Sequence, residues 1–172
     1  MAGRDRPHMA SLVDEFLKAE KRLVGEPDWG PGNRPSEQRL NVPLSINGAP
    51  TNVNLQITAY PNEPTLRFTI TLNWPPCFWR VDYDPPHKRH TNPLHRVPLL
   101  GGARRVEGPS YHSWADNKHL ATMAALPDNL DCARPLASKI RGWDNTFRWF
   151  CEETRIVLGG SKIELPPKTR FI

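Results

Sequence analysis

No stretch of this sequence approaches the roughly 20 consecutive apolar residues that span a bilayer, and its first residues hold no apolar segment of a secretory signal. Cysteine is scarce as well. Cys77, Cys132 and Cys151 make an odd count in 172 residues, with no CxxC spacing, so neither a disulfide framework nor a cysteine-rich zinc site is signalled. No glycine-rich loop stands between a strand and a helix, and GxSxG, HExxH and HxH are all missing. The usual support for nucleotide hydrolysis, serine-hydrolase chemistry and zinc hydrolysis is therefore lacking. These absences lead to the expectation of a cytoplasmic protein with no membrane partner, no cofactor and no metal.

Proline is present in excess: 19 residues, about twice the usual share, which implies many loops and few long helices. A chain of this length builds one substantial core. Lysine and arginine number 23 against 18 acidic residues, for a formal charge of +5 and a pI near 9.4. That balance favours polyanions or acidic protein surfaces.

Residues 1–9 are polar and aperiodic and read as a disordered tail, leaving residues 10–172 as a single α+β domain. From Ser11 the apolar residues Leu12, Phe16, Ala19 and Leu23 recur at helical spacing, with Ser11 and Asp14 placed to cap, and predict a helix to about Val24. Residues 25–35 are a Pro/Gly loop. Leu40, Val42, Leu44 and Ile46 alternate with polar residues, Asn47-Gly48 marks a tight turn, and Val53, Leu55, Ile57 and Ala59 alternate again. Pro43 points to a sheet edge for the first of these strands. Residues 66–74 alternate most cleanly of all. Residues 78–83 predict a fourth strand, with Trp79, Val81 and Tyr83 on one face and Phe78, Arg80 and Asp82 on the other.

Leu136, Ile140, Trp143, Phe147 and Phe150 predict a C-terminal helix kinked or divided at Gly142. Residues 155–158 and 162–165 predict a closing hairpin through Gly159-Gly160. The expected fold is an antiparallel β-meander of four or more strands packed by an N-terminal and a C-terminal helix.

The chemistry concentrates between residues 80 and 119. Five of the six histidines, His87, His90, His95, His112 and His119, fall in this part of the chain, most of them within a stretch, residues 87–115, too long to be a plain connection. Imidazole titrates near neutral pH and can move protons, bind phosphate or ligate a metal. Arg80 and Asp82, two apart on a strand, point to one face.

Three arrangements compete. In the first, His87 and His112 are a proton-transfer pair, Asp82 orients one imidazole and Arg80 stabilises charge on a phosphate; His90, Arg89 and Trp114 bind substrate at the rim. Metal-independent RNA cleavage suits this set, because the ribose 2′-hydroxyl is a built-in nucleophile. In the second, His87, His90 or His112 joins Asp82 or Asp84 around a metal ion. In the third, the histidines are loop residues in a positive patch with Lys88, Arg89, Arg96, Arg104 and Arg105. Trp74, Trp79, Trp143 and Trp149 lie on strand or helix patterns and are expected in the core, whereas Trp114, two residues from His112 in the polar stretch, is placed either to stack on a base or to anchor the loop.

The strings FWRVDYDPPHKRHTNP and GPSYHSW resemble a pattern of small prokaryotic proteins of the TumE-like group: an aromatic, Arg-x-Asp, Pro-His and a further histidine beyond a polar gap. The matching positions are Arg80, Asp82, Pro86, His87, Asn92, Pro93, Gly108, Pro109 and His112, so the resemblance spans residues 78–114. It implies a toxin component paired with an antitoxin protein and acting as a ribonuclease. Trp114 stands where that pattern has another histidine, and the first 70 residues have no counterpart in it. The rival expectation is a non-catalytic interaction protein, such as a mobile-element or phage factor, that binds a host complex or nucleic acid through a basic surface.

Overall fold

The computed structural model describes residues 8–168. In chain order the elements are helix α1 (Met9–Lys18), strands β1 (Lys21–Leu23), β2 (Trp29–Pro31), β3 (Gln38–Ile46), β4 (Ala49–Ala59), β5 (Phe68–Asn73), β6 (Cys77–Tyr83) and β7 (Arg89–Thr91), a 3-10 turn (Leu94–Leu100), strands β8 (Arg105–Glu107) and β9 (Ser110–His112), helix α2 (Trp114–Asn117), strand β10 (Arg134–Pro135), helix α3 (Gly142–Thr154) and strand β11 (Ile156–Val157).

The meander forms where apolar and polar residues alternate, β3 to β4 to β5 to β6, all antiparallel. Asn47 and Gly48 both take positive φ in the β3–β4 turn, the requirement of the type I′ turn that suits strand twist. One sheet order runs β10-β9-β6-β5-β4-β3-β1-β11, with β2 also on β3, and β7 and β8 form a separate ribbon. One face carries Leu55, Ile57, Phe68, Ile70, Leu72 and Val81 in a single core with Val13 and Phe16 of α1 and Phe147, Phe150 and Cys151 of α3. Edge-on aromatic contacts tie the layers together: Phe68 to Trp143 at 5.0 Å and Trp79 to Phe150 at 5.2 Å. Trp74, Trp143 and Trp149 are partly buried against the same core.

Several expectations need correction. Met9 belongs to α1, and residues 1–7 of the expected tail lie outside the described residues. The α1 cap is His8, whose ring accepts from the Ala10 amide, not Ser11. The helix stops at Lys18 rather than near Val24 because the buried Lys21 ammonium turns back onto the carbonyls of Phe16 (2.7 Å) and Ala19 (2.6 Å), closing the helix end. β3 is not an edge strand: β4 lies on one side and both β2 and β1 on the other. Pro43 is tolerated because it falls between the two short partners, at a register shift against β4.

Phe78 does not share the Arg80 face. β6 carries an extra residue between the pairs Leu72↔Trp79 and Asn73↔Cys77. This bulge lets neighbouring Phe78 and Trp79 both bury. Gly142 starts α3 at φ 74° instead of kinking it. Among the described residues the expected closing hairpin of residues 155–158 and 162–165 is not formed, and β11 instead pairs parallel to β1.

Candidate functional site

The second sheet face is polar by the same alternation. Across it, Gln56, Thr71, Arg80 and His112 are directly opposite one another in one row, and Thr58, Thr69, Asp82 and Ser110 in the next. The β7–β8 ribbon folds over the β6–β9 end of these rows. Together they enclose a pocket of about 200 Å³ lined by Arg80, Asp82, Asp84, Lys88, Arg89, His90, Val106, Gly108, Ser110 and His112. Its volume is below the roughly 300–1,000 Å³ of sites that engulf a small molecule. A larger groove of about 740 Å³ between α3 and β11 contains no histidine.

Of the expected site residues, Arg80, Asp82, His112, His90 and Arg89 line this pocket. His87 does not: it is exposed in the turn closed by Lys88 on Pro85. The expected His87–His112 pair is therefore replaced by His90 and His112, whose rings meet edge to face at 4.8 Å. Trp114, expected at the rim either to stack on a base or to anchor the loop, is 2% exposed. Its Nε1 donates to Asp14 at 2.9 Å and its ring meets Phe78 edge-on, so it pins α1 against the sheet. Arg89 is exposed and pairs with Glu107 at 3.3 Å.

His112 is 1% exposed. Its Nδ1 lies 2.7 Å from the Leu130 carbonyl, which can only accept, so Nδ1 carries the hydrogen. In the neutral ring Nε2 is then a lone pair, and Arg80 Nη2 donates to it at 3.0 Å. Burial lowers the His112 pKa; Arg80 and His90 beside it push the same way, against the opposing pull of Asp82. The ring is neutral at pH 7.

Burial pushes Asp82 upward, but hydrogen bonding from His112 and Thr69 and the Arg80 charge outweigh it and hold the carboxyl below its usual range. The bond from Thr69 measures 3.1 Å. Because the Nε2 of neutral His112 offers no hydrogen, Arg80 and Thr69 are the stabilisers that operate at pH 7. Arg80 Nε lies 2.8 Å from Asp82 Oδ2 in a geometry too bent for a hydrogen bond, and this buried N–H has no hydrogen-bond partner.

The histidines share a task that their spacing did not disclose. His112 donates to the Leu130 carbonyl, and His90 Nε2 donates to the Asp131 carbonyl at 2.8 Å. Asn117 bonds both the amide (2.8 Å) and the carbonyl (2.9 Å) of Cys132. Asn92 bonds the amide (2.7 Å) and the carbonyl (2.9 Å) of Ala133, and also the Ala103 carbonyl (2.7 Å). Four consecutive residues of irregular backbone thus receive side-chain partners from β7, β9 and α2 or from the residues beside them. Buried backbone polar groups outside regular structure require such partners. Asn92 and Asn117, both almost fully buried, are the residues that spacing arguments missed. The signal available was two asparagines flanking a long segment without periodicity.

Among the described residues no group of three or more His, Cys, Asp or Glu is gathered to hold a metal ion, and no helix is long and apolar enough to cross a membrane. In comparisons with protein-family models, curated proteins and solved structures, nothing matches this chain.

Proposed function

We propose that this chain is a non-catalytic interaction protein whose basic lobe, residues 84–107, docks on an acidic partner. One observation carries the reading: His90 and His112 are engaged in holding residues 130–133, and the Nε2 of His112 is occupied by Arg80. An imidazole committed at both nitrogens in a buried site is a poor proton shuttle. The lobe has five Lys or Arg residues against two acidic ones. Lys88, Arg89, Arg104 and Arg105 are exposed, whereas Asp84 is taken up by Arg67 at 2.8 Å. Such a surface attracts carboxylates. The resemblance of residues 78–114 to the TumE-like group is compatible with a protein partner. The test is retention on a polyglutamate matrix at low salt. Wild type should bind and elute with salt, and Arg104→Glu with Arg105→Glu should pass through.

A second reading, RNA cleavage, is favoured by His90 beside the half-exposed Arg80 in the same pocket. In neutral His90 the Nδ1 lone pair is not used by the bond to Asp131, so one base and one phosphate-binding cation are at hand. Incubation with total RNA, with and without chelator, separates the two. Cleavage by wild type that His90→Ala loses while remaining folded would establish the second reading and sink the first.

A further inference from the structure

Among the described residues the most exposed large apolar side chains include Leu94 and Leu99, at 68% and 62%, both on the 3-10 turn at the tip of the lobe. Pro98 is exposed beside them. The turn is held firmly from beneath. Leu100 is buried, Arg134 Nη2 donates to the Leu99 carbonyl at 2.9 Å, the Gly102 amide closes on the Val97 carbonyl at 2.9 Å, and Asn92 fastens the base through Ala103. Leu94, Pro98 and Leu99 are thus presented outward by a turn already in place, so seating them costs little ordering entropy.

We infer that this tip is an apolar knob that seats in an apolar socket bordered by carboxylates on a partner protein. The inference rests on the interaction reading and adds the chemistry of the contact. The basic residues of the lobe supply the rim that steers encounter, and the leucines supply the desolvated centre that holds it. A nucleic acid fits less well. No Phe, Tyr or Trp occurs between Asp84 and Pro109 to offer a broad stacking surface for bases, the usual platform for single strands, and aliphatic leucines add nothing to phosphate contacts. A bilayer surface takes up amphipathic helices with broad apolar faces, not a seven-residue turn with two exposed leucines.

The experiment is selection from a displayed random-peptide library on the intact chain, followed by fluorescence anisotropy with the enriched peptides. Poly(U), duplex DNA and anionic-lipid vesicles run in parallel. Enrichment of peptides carrying carboxylates around apolar residues is expected. Their binding should weaken at least about tenfold for Leu94→Ser with Leu99→Ser, a charge-neutral pair, and also for Arg104→Ala with Arg105→Ala, both variants unfolding at the wild-type urea midpoint. The inference is overturned if no acidic–apolar peptide is enriched, if binding depends on only one of the two pairs, or if poly(U), DNA or vesicles bind wild type while the peptides do not. Failure of the underlying reading is separately visible as RNA cleavage lost in His90→Ala.

Discussion

Replacing His112 asks whether the ring is a staple or a shuttle. In His112→Ala the Leu130 carbonyl loses its donor, and an unsatisfied buried carbonyl costs about 1–3 kcal/mol. Removing a ring from a site 1% exposed adds a cavity term, of which aromatic-to-alanine losses of about 3–5 kcal/mol are the upper guide. A total of about 3–5 kcal/mol follows. That is a large part of the roughly 5–15 kcal/mol that holds a domain folded, and about 6–20 °C in Tm at this chain length. Asparagine and glutamine then discriminate between the roles. The amide of Asn reaches about as far as Nδ1 and can restore the bond to Leu130, whereas Gln reaches about as far as Nε2. His112→Asn should recover around half of the loss and His112→Gln little. Urea unfolding followed by tryptophan fluorescence measures all three. If His112→Ala stays within about 1 kcal/mol of wild type, or if Gln rescues better than Asn, the staple argument is wrong.

Asn92→Ala should cost about 2–4 kcal/mol, because it strips partners from the Ala133 amide and from two carbonyls; hydrogen exchange at Ala133 should accelerate with it, and unchanged protection would contradict the assignment. Stability should also depend on pH in a defined window. The folded pKa of His112 lies below its ordinary 6.5, so as pH falls the unfolded chain takes the proton first. The His112 contribution is flat above about pH 6.5 and declines below it, with a slope approaching 1.4 kcal/mol per pH unit. Asp82, lowered from 3.8, contributes above that value and is lost only in stronger acid. The exposed His119 shifts in the same direction as His112, so unfolding of wild type and His112→Asn at pH 5.5 and 7.5 isolates the His112 share.

The fold was legible where one physical rule decided the outcome. Residues 68–73 alternate because one sheet face packs on the apolar core and the other carries polar rows, and Asn47-Gly48 turns because both positions need positive φ. It was illegible where a tertiary contact decided. Leu23 continues the helical spacing of Leu12, Phe16 and Ala19, but it lies in β1 because the Lys21 side chain ends the helix and β11 arrives alongside from the far end of the chain. A two-residue parallel pairing leaves no periodic trace in the sequence.

The site shows a different limit. Alternation alone placed Arg80 and Asp82 on one face, and the cross-strand partner of Arg80 proved to be His112. What alternation could not supply was what the imidazoles would be bonded to. A histidine-rich stretch reads as acid–base machinery when only titration is considered, yet each ring also carries a hydrogen-bond donor, and residues 130–133 need donors as much as any substrate would. Outside helix and ladder the chain must find those partners among side chains. Asn92 and Asn117, which have no role in proton transfer, do there what His90 and His112 do. Shared use of one backbone segment by two asparagines and two histidines rests on what the four have in common, hydrogen bonding to peptide groups.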